Sequence, residues 1–497
     1  MKTNKNTSFP TCRQLYLLLF LFCFQISGRA QVWETVIDDN GQSVLLTGNH
    51  PTVPLPDGGV VVAATYETED SVLLARTDEE GNVLWFQPVP TPEGQTLAWD
   101  VTLTSDGGYA IGGVHYLSNG KGQYFILKFN EGGSPSWNEA LEHPGHGLVK
   151  ALVGADDGSL ILVGGQTYTF EESPVLADSV NARIVRLDAQ GNILWDQILD
   201  KGTHDELTAV IQKKDGNFIA AGMSRGFPPQ TTYRVYLIEF DLAGNILWEK
   251  VFRPEPNQSP VVKSVIELSD GGLAMVGAVT VFPNLMNFQD FFICKTNAEG
   301  ELSWANVHGG TQQETLVDVA EMPDGGLLAV GRTFVSTLGT NQPSGYIAKY
   351  DGQGELFCEE LTGPRNELKG IAAIPEDKGF ILSGMSWDHD SPVDIFLWKY
   401  PADYCEIPIN TYSVKNPWKV SVFPNPMKEW ASIQIENGPQ EPIGLVLVNT
   451  LGQVAQYHTF SGDGALTLER NGLPSGVYFL LLKEKGEIVN TRKLVLY

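Results

Sequence analysis

The chain is poor in charge, in cysteine and in every short motif that marks a known chemistry. Only 19% of its 497 residues are charged, and acids outnumber bases 59 to 33, a formal net charge of −26. That deficit of bases argues against a nucleic-acid partner, whose phosphates need clustered lysine and arginine. The five cysteines fit no zinc or haem spacing. No Gly-x-Ser-x-Gly elbow, phosphate-cradling Gly-x-x-x-x-Gly-Lys or Cys-x-x-Cys-His occurs. Of the scattered histidines, His143 and His146 form the one close pair, in a Gly-rich link better suited to a polar loop than to a metal. Asp388, His389 and Asp390 are neighbours on a loop and lack the orientation of a triad. No catalytic residue, metal or cofactor is therefore expected.

Long apolar runs are also missing, with one exception at the start. Lys2, Lys5 and Arg13 precede the apolar stretch 15–24, and Gly28-Arg29-Ala30 follows as a small-x-small cleavage pattern. A basic region, a short apolar run and a small-residue site predict a signal peptide over residues 1–30. The run is too short to span a bilayer comfortably, so no transmembrane segment is expected after cleavage.

What the chain does have is glycine, 52 residues of it, and a sentence it repeats. Asp241-Leu242-Ala243-Gly244-Asn245-Ile246-Leu247-Trp248 recurs from Asp188 to Trp195, and in part at Gly81 to Trp85, Gly132 to Trp137 and Gly300 to Trp304. A degenerate copy runs from Asp351 to Cys358, and Trp33 extends the series backwards. A second mark, Asp-Gly-Gly or a relative, starts at Asp57, Asp106, Asp157, Asp215, Asp270, Asp324 and Asp377. Both recur with a period of about fifty residues, the signature of stacked supersecondary units. Asp-Gly between short β-rich runs is a hairpin signal, because glycine takes the positive φ of a primed turn. Four strands per unit make a propeller blade, and seven blades fill residues 31–405. The last unit has no Trp strand of its own, so the Trp33 strand is expected to complete it and remove the open edges. Trp33, Trp85, Trp137, Trp195, Trp248 and Trp304 then read as core between adjacent blades. Cys358 and Cys405 are candidates for a bridge closing the final blade, with Cys294 buried in a strand.

This region resembles the propellers built from repeats like those of quinoprotein dehydrogenases and of the bacterial delta-60 repeats, on the Asp-x-x-Gly-x-x-x-Trp turn. The resemblance implies a fold and leaves activity open. The Asp-Gly and Asp-x-x-Gly turns fall on one face, and variable connections fall on the other: 166–181, 223–232, 278–289, 333–344 and 385–393. Variable loops on a uniform frame are where a ligand is read. Glu206, Glu314 and Glu367, on links of that face, are candidates to ring a channel mouth and bind a cation or a sugar hydroxyl. The expected role is binding or scaffolding of an extracellular glycan or protein. The alternative is an enzyme on the same face, quinoprotein-like or glycan-active.

After a linker at 406–416 the pattern changes to short strands over about eighty residues, predicting a small immunoglobulin-like β-sandwich. Val422-Phe423-Pro424-Asn425-Pro426, the stretches 449–454 and 473–478, and Lys493 to Leu496 make residues 417–497 similar to the type A C-terminal sorting domain of the type IX secretion system of Bacteroidota. That resemblance implies the secretion machinery as a partner and a secreted or cell-surface location.

Overall fold

The computed structural model describes residues 33–496 apart from 38–41, 49, 68–70, 93, 142–145, 168–178, 202–203, 226–231, 282–288, 311, 338–339, 375–378, 387–392, 403, 405–418, 424–426, 437–441, 450–453, 463, 475 and 485–486. The expected signal peptide, the linker, Cys405 and the Asp388-His389-Asp390 run therefore lie outside the described residues. The described elements are all β-strands, and the chain divides into two compact units, Met1–Cys405 and Glu406–Tyr497.

The first unit is a β-propeller. Among the described residues its strands form seven antiparallel sheets, numbered here one to seven along the chain. Sheet four shows how the sequence builds one. Asp205–Gln212, Phe218–Ser224, Arg234–Phe240 and Ile246–Phe252 pair in that order. The two middle strands are buried on both faces and read as continuous apolar runs. The last strand is exposed or half-buried along its whole length, as an edge should be. In sheet one the innermost strand is broken into Val44–Leu45 and Thr52–Pro54, both paired with Val60–Tyr66. Sheet seven is closed from the other end of the unit, since Trp33–Ile37 pairs with Asp394–Tyr400. The first strands of successive sheets touch around a complete ring, from Thr52–Pro54 through to Asn366–Ala373 and back.

Both repeated turns are explained by local chemistry. Asp241 Oδ1 accepts the backbone N–H of Asn245 at 2.8 Å, and Oδ2 accepts its Nδ2 at 2.8 Å. These bonds to the ionised form hold the carboxyl of Asp241 below the usual range. Gly244 between them has φ +86°. The Asp of the other mark is tied to a base on the third strand: Asp57 to Arg76 at 2.6 Å, Asp106 to Lys128 at 2.9 Å, Asp157 to Arg186 at 2.5 Å, Asp270 to Lys295 at 2.5 Å and Asp324 to Lys349 at 2.6 Å. Burial pushes the Asp106 carboxyl up, and Thr104 and Lys128 outweigh it, leaving its pKa at about 2. Sheet four reverses the pair: Glu239 stands on the third strand, and Lys213 reaches it at 3.1 Å.

The tryptophans act at a more peripheral place than the sequence suggests. They are half-buried, and each lies against the Asp-x-x-Gly turn of the next sheet. A Cβ on Gly81 would come within 2.6 Å of the Trp33 ring, one on Gly300 within 2.5 Å of Trp248, and one on Gly354 within 2.4 Å of Trp304. Trp33, Trp137, Trp195 and Trp304 also donate Nε1–H to a carbonyl of that turn, at 3.1, 3.1, 3.1 and 3.2 Å. The Gly and the Trp of one copy therefore serve different interfaces, Gly receiving the preceding ring and Trp reaching the following turn. Sheet seven has no such turn, because its outer strand arrives from the N-terminal end. A tryptophan at 358 would have no glycine to rest on. Cys358 stands there instead and is disulfide-bonded, its partner lying outside the described residues. Cys294 is free and buried.

One expected loop is different. The connection 333–344 continues the hairpin of sheet six, with Thr333 opposite Ser344 and Thr337 opposite Thr340. The second unit packs two sheets face to face. Lys419–Phe423, Trp430–Glu436 and Gly464–Glu469 form one; Ile443–Asn449, flanked by Val454–Phe460 and Gly476–Glu484, with Glu487–Leu496 beyond, forms the other. Ala431, Ile433 and Leu468 of the first meet Leu445, Leu447 and Leu480 of the second in one core.

Candidate functional site

The strands that line the axis share an irregularity. In sheets two to seven the pairing of first and second strands slips by one residue, leaving Trp99, Lys150, Thr208, Lys263, Val317 and Lys369 as the extra residue of a β-bulge. A bulge turns the strand and re-aims a side chain, and bulges concentrate where a sheet meets a site. Backbone and side-chain polar groups nearby are then bonded between neighbouring sheets. Leu152 N donates to Asp100 Oδ2 at 2.8 Å, Ile371 N to Asp318 Oδ2 at 3.0 Å, and Thr208 Oγ1 donates to Val262 O at 2.8 Å.

Two cavities follow this layer. The larger, of 410 Å³, holds the buried carboxyls of Asp100 and Asp318 together with His50. Burial raises both carboxyls and lowers His50, against the pull of Asp318, whose Oδ1 lies 3.8 Å from His50 Nε2. Asp318 also accepts from Ser264 Oγ at 2.8 Å, so both carboxylates are occupied in stitching neighbouring sheets. The smaller cavity, of 260 Å³, lies at the start of the first strands and is lined by Lys263, Arg332, Lys369, Glu367, Gln289 and Thr315, among others.

The predicted carboxylates divide there. Glu367 lines the smaller cavity, buried, with Arg332 at 2.8 Å and Lys369 at 2.9 Å. Glu206 is paired with Lys150 at 3.4 Å. Glu314 turns into its own loop, accepting Gly310 N at 2.7 Å and Thr333 Oγ1 at 3.2 Å, and burial raises its carboxyl above the ordinary value. The cations around them were not foreseen. Lys150 sits 4.1 Å from the Trp99 ring, a cation–π contact, and pairs with Glu206. Among the described residues the Lys263 side chain has neither hydrogen bond nor ion pair. Burial lowers its pKa, nearby Lys150, Lys369 and Arg332 lower it further, and Glu206 opposes them. A sequence signal for the layer exists: Trp99, Lys150, Thr208, Lys263 and Val317 each fall seven residues before the Asp of an Asp-Gly mark. His146 is a structural residue, its Nδ1 accepting Gly122 N at 2.8 Å. Among the described residues no cluster of three His, Cys, Asp or Glu side chains is placed to hold a metal.

The class these features define is a β-propeller joined to a two-sheet β-unit. The C-terminal residues 421–497 match the family of secretion system C-terminal sorting domains. The tail is a type IX sorting domain, and the protein is secreted or held at the outer cell surface. No curated protein matches the chain. Similar solved structures include a polysaccharide lyase, an ulvan lyase, at 11% identity and TM-score 0.47, covering 73% of this chain and 94% of that one. A protein of unknown function from Bacteroides caccae aligns at 12% identity and TM-score 0.35, over 68% and 100% of the two chains. The β-propeller domain of a protease from Pyrococcus furiosus aligns at 10% and 0.39, over 73% and 94%. With each of these scores below 0.5, the fold rests on the chain's own strand order.

Proposed function

We propose that the protein is an exported binding or scaffolding module, a seven-bladed propeller that reads an extracellular glycan or protein with the face bearing the axial mouth. In this reading residues 1–30 are the signal peptide, 406–416 a linker, and the immunoglobulin-like unit 417–497 engages the type IX secretion machinery. Cys358 is paired with Cys405, a bridge supported by Tyr404, which donates to Glu360 Oε2 at 2.5 Å close to both positions. The observation that carries the binding reading is the bulge layer. The frame repeats, while the side chains it aims at the axis differ from sheet to sheet, as a recognition site requires.

The test is a glycan and protein array with the full chain, alongside a chain cut after residue 416. Saturable retention of one ligand class by both supports the module. Turnover of a carbohydrate, or a stoichiometric chromophore after soaking with pyrroloquinoline quinone and calcium, would replace it with an enzyme. In cells making both forms, loss of export of the shorter one supports the role of the tail.

A further inference from the structure

The smaller axial cavity is out of character with its chain. In a protein of net charge −26, Lys263, Arg332 and Lys369 line it against the single carboxylate of Glu367. Lys150, Lys263 and Lys369 come from alternate sheets, three, five and seven, and each occupies the extra position of a bulge. The same device thus brings three ammonium groups to the axial layer, and those of Lys263 and Lys369 line this cavity. Two are partly answered, Lys369 by Glu367 at 2.9 Å and Lys150 by Glu206 at 3.4 Å. Among the described residues Lys263 has no hydrogen-bonding or ion-pairing partner; only the more distant charge of Glu206 offsets the repulsion of Lys150, Lys369 and Arg332. Half-burying an unpaired ammonium costs solvation that the fold does not recover.

We propose that this cavity binds the anionic group of a small ligand, a carboxylate, sulfate or phosphate, with Lys263 as the principal contact and Lys369 and Arg332 closing around it. This names the ligand class of the face assigned above and rests on that reading. Glu367 is an internal competitor: it occupies Arg332 and Lys369 while the cavity is empty, and an entering anion shares them. Gln289 and Thr315 add neutral hydrogen-bonding groups to the lining, suited to hydroxyls beside the charge. At 260 Å³ the space is at the lower limit of ligand pockets, which suits one acidic sugar unit or a free oxyanion and excludes a folded segment.

The experiment is titration calorimetry of the full chain at low ionic strength with sodium sulfate, inorganic phosphate, glucuronate and, as the neutral control, glucose. Saturable one-to-one binding of at least one anion, with glucose silent, is the expected result. Lys263→Gln should weaken it at least tenfold, and Glu367→Gln should tighten it several-fold. A misfolded variant cannot tighten binding, so the opposite signs separate a site from damage; melting curves of both variants complete the control. Preference for glucuronate or sulfate points to an acidic glycan, and preference for phosphate to a phosphorylated ligand. Equal weak heats with every salt, or insensitivity to both substitutions, would overturn the proposal. Anion titration that succeeds while the arrays stay blank would sink the binding module and leave the anion site; arrays that light up with neutral ligands alone would do the reverse.

Discussion

The rim and the axis of the propeller use one repeat in opposite ways. At the rim, position and identity are repeated together: Gly at positive φ, Asp or Asn closing the turn, Trp lying on the next glycine. At the axis only the position is repeated, and the residue placed on the bulge changes from Trp99 to Lys150, Thr208, Lys263, Val317 and Lys369. A rim contact has to satisfy the same geometry in each sheet, so its chemistry is fixed. An axial bulge residue can line a cavity, as Lys263 does, or bond to the next sheet, as Thr208 does, and nothing in the backbone specifies which. Repetition marks what holds the fold, and variation within a repeated position marks where it can be addressed.

The sharpest way to break this comparison is to remove the piece that closes the ring. Deleting Trp33–Ile37 takes away the outer strand of sheet seven and the ring resting on Gly81. The exposed edge of Asp394–Tyr400 and the lost burial together should cost on the order of 5 kcal/mol or more. We expect a broad, early unfolding transition and dye binding to exposed apolar surface. A truncated protein that melts with the intact one would mean the ring is held without its closure.

Next in size is the one rim position where the pattern changes. Cys358→Ala, or reduction, removes a disulfide where other sheets place Trp, and should lower stability by about 2–4 kcal/mol. Replacement by Trp should not restore it, since sheet seven offers no Asp-x-x-Gly turn. Full rescue by Cys358→Trp, measured as the urea midpoint, would show that the ring needs no glycine beneath it.

Two matched glycines then separate backbone strain from ring contact. Gly300 has φ +75° and Gly325 φ +78°, but a Cβ meets Trp248 at 2.5 Å at the first and nothing within 4 Å at the second. Gly325→Ala should cost about 1–2 kcal/mol, the penalty of a side chain in the left-handed region. Gly300→Ala should cost about 1–3 kcal/mol more, because the ring must shift from its seat. Equal costs would confine the glycine requirement to the turn and leave the tryptophan seat without energetic weight.

These contrasts also explain what could be read from the sequence. Gly, Asp and Trp of the rim are legible because turn geometry admits few residues, and the same chemistry recurs in each copy. The partner of each Trp was not legible, since it lies in the next copy, some fifty residues on, and only the strand order reveals the offset. The axial cations escaped for a different reason. Glu206, Glu314 and Glu367 stand out as acids near a shared offset, whereas the lysines matter through a slip in register that leaves no mark in composition. Nor does sequence distinguish a carboxylate that lines a cavity, as Glu367 does, from one folded into its own loop, as Glu314 is.

The smallest expected effect on stability is at Lys263, and its smallness is the informative part. If the axis carries recognition and the rim carries the fold, replacing an unpaired axial lysine should cost nothing. Lys263→Gln keeps a polar side chain, one atom shorter, at the bulge and removes a charge that sits among Lys150, Lys369 and Arg332. Relief of that repulsion and of the solvation penalty favours the variant, and the loss of aliphatic packing opposes it, so the urea midpoint should stay within about 0.5 kcal/mol or rise. A drop of about 2 kcal/mol would instead mean that Lys263 satisfies something within the ring, and the axis would then be as structural as the rim.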